Sequence, residues 1–158
     1  MNEEHIGEII KGILAEDQSA DPVFDKKRME DAINDGIAKA NELGVGVTFC
    51  FLDSGRVERM LYQMPNSNMV SSELAPKKAW SAFSMKMPTK DFSKDIQPGG
   101  PLYEMGTSLG GKLVSFPGGI PLKINDKFIG AVGVSGGLVE EDEAICEATV
   151  ASFMKRLG

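Results

Sequence analysis

Two lysines stand side by side at Lys77 and Lys78, inside the stretch SSELAPKKAWSA over residues 71–82, whose apolar spacing predicts a helix from Ser71 or Ser72 to about Met85. Lys78 lies one turn beyond Leu74 and one turn before Ala82, which places it on the buried-side stripe and makes it the better candidate of the pair. A lysine so placed either snorkels to solvent or points into a pocket to meet an anion. Two glycine turns, Pro117-Gly118-Gly119 and Ser135-Gly136-Gly137, bracket a predicted hairpin. Amide-rich turns at neighbouring strand ends can cradle a polar or anionic group, or they are simply chain punctuation. If lysine and turns converge, Lys78 would pair with a carboxylate of an acidic compound. The amides around Gly118, Gly119 and Gly136 would then hold polar atoms, and Ser72 or Ser135 would add a hydroxyl. An enzymatic alternative uses Lys78 as electrophile or acid and Asp142 or Glu104 as base, although no nucleophile and base can be paired from the sequence. Asp53 opens a tight turn, where a carboxylate more often caps backbone amides than performs catalysis.

The elements that must position these residues follow from periodicity and punctuation. Ile120, Leu122 and Ile124 alternate before Asn125-Asp126, and Phe128 to Val134 is almost wholly apolar, so the hairpin's second strand should be central. Gly130 and Gly133 within it require a close approach by a backbone, a helix or a ligand. Val45–Leu52 and Val57–Met64 make an earlier hairpin through Asp53-Ser54-Gly55. Asp25 caps a helix ending at Leu43 and Gly44, and a last helix runs from Val139 to about Leu157 with Ala144, Ile145, Ala148, Ser152 and Phe153 inward. Between Met87 and Pro117 the pattern supports only a short helix near Leu102–Met105 and a brief strand at Lys112–Phe116. The sum is an α+β sandwich, an antiparallel sheet of about five strands flanked by helices.

Residues 1–16 form a separate amphipathic helix with Ile6, Ile9, Ile10, Ile13 and Leu14 on one side; residues 17–24 read as a polar linker and residues 25–158 as one domain. So short a helix is marginal alone, so its stripe needs its own domain, a sister subunit or another molecule. The formal net charge of −6 and scattered lysines and arginines argue against a nucleic-acid partner, and the apolar runs are too short for a membrane. Cys50 and Cys146 read as buried thiols of a reducing, cytosolic compartment. With His5 as the only histidine and no CxxC or HxxxH pattern, no metal site is expected.

From about Asp25 onward the chain resembles the GlcG/HbpS family, also called the haem-degrading domain family, which includes the C-terminal domain of PduO-type proteins. The resemblance rests on LDSG at Leu52–Gly55, SSELAPKKAWSA at Ser71–Ala82, GGIPL at Gly118–Leu122 and FIGAVGVSGG at Phe128–Gly137, followed by Glu141-Asp142. It implies a profilin-like fold, homo-oligomers, and a pocket near the lysine helix and the two glycine turns, with haem or a corrinoid as possible ligand. Gln63 stands before Met64 where the family often has arginine, and histidine, the usual haem ligand, is absent from the folded part. Methionine or tyrosine can ligate haem iron, and Met64, Met69, Met105 and Tyr103 are available. The N-terminal segment MNEEHIGEIIKGILAE with its linker resembles the encapsulation peptides that lead cargo enzymes into bacterial microcompartments. Corrinoid adenosylation by this chain is not expected, since it carries no Walker-type phosphate loop. The leading expectation is a small-molecule or tetrapyrrole-binding accessory protein of a bacterial catabolic microcompartment. The alternatives are an enzyme acting on a small oxygenated metabolite and a structural oligomeric assembly module whose pocket is vestigial.

Overall fold

A computed structural model describes residues 2–17 and 22–158, with side chains for 2–13 and from 23 onward. Its helices are α1 (Glu3–Asp17), α2 (Lys26–Leu43), α3 (Ser71–Met85), α4 (Met105–Ser108) and α5 (Val139–Lys155), and its strands are β1 (Thr48–Asp53), β2 (Glu58–Gln63), β3 (Gly119–Ile124) and β4 (Lys127–Ser135). Local chemistry sets the boundaries. Asp25 accepts the Arg28 amide at 3.1 Å to start α2, and Gly44, at φ 73°, ends it by donating to the carbonyls of Ala40 and Asn41. Asp53 accepts the amides of Gly55 and Val57 at 2.9 and 3.0 Å and pairs with Arg59, so it holds the turn into β2. Asn125 and Asp126 both adopt positive φ between β3 and β4, the backbone that a two-residue hairpin turn requires.

The strands form an antiparallel sheet in the order β2-β1-β4-β3, with β4 inside and β2 and β3 at the edges. Its two faces are packed differently. On one, Phe49, Phe51, Val132 and Val134 meet Met29 and Ile33 of α2 and Ile145 and Phe153 of α5. On the other, Cys50, Leu52 and Ala131 meet Ala75, Ala79, Ala82 and Phe83 of α3. Small residues let α3 lie directly on the strand: a Cβ at Gly133 would collide with the Ala75 carbonyl and stand 2.7 Å from the Ala79 nitrogen.

The sheet has four strands rather than about five. Residues 112–116, expected to be a strand, pair with no strand and bond to side chains instead. The Val114 amide donates to Ser81 Oγ at 2.9 Å, and Thr89 Oγ1 donates to the Phe116 carbonyl at 2.7 Å, so no ladder forms. The short helix starts at Met105, where the expected one ended. On α5 the buried stripe is Asp142, Glu143, Ile145, Cys146, Thr149, Ser152 and Phe153, rotated away from Ala144 and Ala148 because polar side chains with internal partners face inward. Of the segment read as linker, residues 18–21 lie outside the described residues, whereas Pro22–Phe24 is a 3-10 turn that seats Phe24 in the core. Helix α1 leaves Ile6, Ile9, Ile10 and Ile13 between 42 and 56% exposed.

Candidate functional site

Lys78 is carried inward by α3, whose close approach to β4 leaves its side chain nowhere to go but toward the end of that strand. It is 1% exposed, and its ammonium donates to the Val134 carbonyl and to Asp142 Oδ2, each at 2.8 Å. Asp142 belongs to the first turn of α5, and its other oxygen accepts the Gly137 amide at 2.8 Å. The first glycine turn closes the same centre. The Gly118 amide donates to Glu143 Oε2 at 2.7 Å, and its carbonyl accepts the Val134 amide at 2.7 Å. At φ 111°, with a hypothetical Cβ lying 3.2 Å from Lys78 Nζ and 3.1 Å from Asp142 Cβ, Gly118 is a position only glycine fits. Lys90 stands 2.8 Å from the other Glu143 oxygen, which makes a second ion pair at the outer edge of the first.

Lysine and both glycine turns therefore meet, but the lysine's charge is already answered. The expected pairing with a ligand carboxylate is replaced by a pairing with Asp142, a residue of the chain itself. Of the three N–H donors of the ammonium, two are committed, and one remains for the cavity beside it. Burial pushes the Asp142 carboxyl above the usual carboxylate range, and the Lys78 charge and the Gly137 and Gly136 amides pull it back only in part.

The cavity holds about 150 Å³. Lys78, Asp142, Ser135 and Gly136 line it, together with Asn68 and the apolar Val70, Leu74, Phe116 and Val139. Gly136, at φ 145°, offers its carbonyl to Asn68 Nδ2 at 3.1 Å. Gly119 lies on the far side of the centre, its amide donating to Thr89 Oγ1 at 3.0 Å. Ser72 turns back on the loop that leads into its helix, donating to the Met69 carbonyl at 2.9 Å, and does not line the cavity. Its neighbour Ser71 is the buried hydroxyl, 2.7 Å from Thr48 Oγ1. Glu104 is exposed in the loop before α4 and does not line the cavity, so it is not brought to Lys78. Sequence reasoning missed Asn68, Thr89 and Glu143. Their only sign was position, since Glu143 follows the Glu141-Asp142 pair, Asn68 sits in a loop, and Thr89 opens a 3-10 helix (Thr89–Ile96) that no apolar periodicity marks.

At the mouth the surface turns apolar. Val70, Phe116 and Val139 are exposed while lining the cavity, and Met69 and Leu138 beside them are 88 and 68% exposed. Met64, by contrast, is core: its sulfur accepts the Val47 amide at 3.4 Å. Cys50 and Cys146 are fully buried on opposite faces of the sheet, and burial pushes both thiols far up. Among the described residues no helix is long and apolar enough to cross a membrane.

The corrinoid adenosyltransferase PduO of Citrobacter freundii is 39% identical over 120 residues, which is 76% of this chain but 36% of that protein. The chain thus spans about a third of the length of the PduO relatives it matches, the Salmonella typhimurium protein included at 35%. An uncharacterised 15.0 kDa protein from the dhaT-dhaS intergenic region of Citrobacter freundii is 35% identical over 80% of this chain and 87% of its own length. The crystal structure of a PduOC:heme complex superposes with a TM-score of 0.78 at 38% identity, covering 81% of this chain and 93% of that one. Residues 24–151 match the family described as haem degrading protein HbpS-like. The chain belongs to the HbpS-like family of haem-degrading proteins.

Proposed function

We propose that this chain is an accessory protein of a bacterial catabolic microcompartment that binds a small molecule or tetrapyrrole, with the face around the Lys78 cavity as its binding surface. The observation that carries the reading is the likeness, at 38% identity over 81% of the chain, to a domain crystallised with haem. Haem as an enclosed, iron-ligated cofactor does not fit the residues present. A cavity of about 150 Å³ falls below the ~300–1,000 Å³ of sites that engulf a ligand, and among the described residues no histidine, cysteine, methionine or tyrosine lines it. What the geometry supports is a half-seated ligand. The apolar rim of Val70, Phe116 and Val139 suits a flat hydrocarbon face, and the cavity suits one polar substituent, which would meet the remaining Lys78 donor, Ser135 and Gly136. The tetrapyrrole is then cargo held by its edge and face. The test is titration of the full chain with haemin, followed by the Soret band. Saturable one-to-one binding, weakened about tenfold or more in Val139→Asp, is the expected result; absorbance that rises without saturation, or a variant that binds as the parent does, would remove the reading.

The place of work is carried by α1. An amphipathic helix with four exposed isoleucines is consistent with an encapsulation address, and homo-oligomers consistent with the family would present several copies of it. Deleting residues 2–21 and following co-purification with shell proteins checks this: association should be lost, and its persistence would refute the targeting role.

A further inference from the structure

Between α2 and the edge strand β2 runs an open groove of about 470 Å³, lined by Glu30, Ile33, Asn34 and Ile37 of α2 and by Met60 and Tyr62 of β2. It lies on the same face of the sheet as the larger core, and it leaves the outer edge of β2 uncovered. An open strand edge next to apolar side chains is a feature that folded chains ordinarily cover with a helix or a loop. The helical side of the groove presents residues 30, 33, 34 and 37. The exposed stripe of α1 presents residues 6, 9, 10 and 13, the same spacing along one helix face.

We infer that the groove is the docking site of α1 from the same chain. An antiparallel arrangement that sets Asp17 beside Lys26 puts Ile13 level with Glu30, Ile10 with Ile33, Ile9 with Asn34 and Ile6 with Ile37. Ile6 then meets the half-buried Ile37, and Ile10 lies over the point where Ile33 enters the core. The connection between the helices is the span 18–25, and connections of up to about eight residues join antiparallel helix pairs. From Asp17 to Pro22 the backbone can bridge at most ~17 Å, against the 8–10 Å that separates packed helix axes. The N-terminus of α1 would then lie toward the middle of α2, with the isoleucines over Met60 and Tyr62 and the β2 edge sheltered. Glu4, Glu8 and Lys11 stay in water, because they lie off the isoleucine stripe.

This contact makes the helix a latch. Docked, the four isoleucines are hidden; released, they are available to a partner. A partner that needs the free helix binds the chain more weakly by the fraction of time the helix is docked. The docking stands or falls independently of what that partner is, so its failure and the failure of the targeting role are separate results.

The test uses the full chain, whose two native cysteines are buried and leave the surface free for engineered thiols. Ile9→Cys with Asn34→Cys brings two thiols within disulfide reach only if the helices pack in the stated register, and oxidation should give an intramolecular bridge at least about tenfold faster than the control pair Ile9→Cys with Lys127→Cys. Equal rates would overturn the docking, and so would disulfide-linked dimers, which would seat α1 on a second copy. In parallel, hydrogen exchange of the full chain should quicken about tenfold or more in α1 and at Tyr62 on Ile10→Asp, a change that leaves the domain core untouched. Exchange that does not move in either segment would likewise overturn it.

Discussion

The Lys78 centre and the N-terminal end of the molecule invert one another. At the first, three charged groups are inside the protein, and each finds a partner. Lys78 meets Asp142 and Val134, Asp142 meets Gly137, and Glu143 meets Gly118 and Lys90. At the second, four isoleucines are outside, and none is buried. What separates the two regions is how closely backbones can approach. Glycines at 118, 133 and 137 let α3, α5 and the ends of β3 and β4 come within hydrogen-bond reach, so a buried charge is surrounded by fixed dipoles. Along α1, among the described residues, added Cβ atoms at Gly7 and Gly12 would meet no atom within 4 Å beyond the helix's own turns. The first region specifies the fold, and the second keeps surface in hand for an encounter.

The contrast breaks most sharply if the buried pair is cut. Lys78→Met leaves Asp142 without its partner in a dry environment, and losing one member of a buried pair destabilises by about 3–5 kcal/mol. Lys78→Met with Asp142→Leu together should recover most of that loss, since the penalty belongs to the orphaned charge more than to the pair. Urea unfolding with an unchanged m-value measures both. A single variant within about 1 kcal/mol of the parent would mean that the centre is wet and the two regions are not opposites.

A smaller effect comes from the same substitution made in both regions. Gly133→Ala drives a methyl into the backbone of α3, which has no rotamer to change, and should destabilise by roughly 1–3 kcal/mol. Gly7→Ala places its methyl in open space within a helix and should strengthen α1 by roughly 0.5–1 kcal/mol, seen as added ellipticity at 222 nm with no change in the domain's own melting. Equal signs at the two sites would erase the distinction drawn from backbone approach.

How far this contrast was legible in the sequence depends on the residue. Asp25, Gly44 and Asp53 act through neighbours a few positions away, and their roles as caps could be read directly. Gly133 announced a close approach because a strand interior rarely wastes a side chain, although the sequence could not say that α3 was the visitor. Lys78 was placed on the inward stripe by spacing, but its partner lies 64 residues away, and nothing local tells which of Glu140, Glu141 and Asp142 turns inward. Residues 112–116 alternate like a strand, yet Ser81 and Thr89 take the bonds that a neighbouring strand would have taken. The inward stripe of α5 departs from its apolar spacing for a related reason. Periodicity counts apolar residues, and this helix buries Asp142, Glu143, Thr149 and Ser152 against internal partners. Periodicity finds layers; it cannot find a polar centre assembled from four elements.

The gentlest probe of the sealed region is acid. Burial holds the Asp142 carboxyl above its ordinary 3.8, so between that value and the raised one the folded chain keeps a proton that the unfolded chain has released. A group whose pKa rises on folding contributes stability that is complete below the unfolded value and is lost as pH climbs through the folded one. Other carboxylates titrate in the same range, so the measurement is the difference in unfolding free energy between the parent and Asp142→Asn at each pH, which cancels them. That difference should move against the parent as pH rises from about 4, because only the parent must ionise a buried carboxyl. A difference that moved toward the parent instead would mean that the attraction of Lys78 outweighs desolvation at Asp142. The centre would then be a net electrostatic gain to the fold, and the N-terminal helix would be the less stable region for lack of contacts alone, not because charge burial elsewhere is tolerated at a loss.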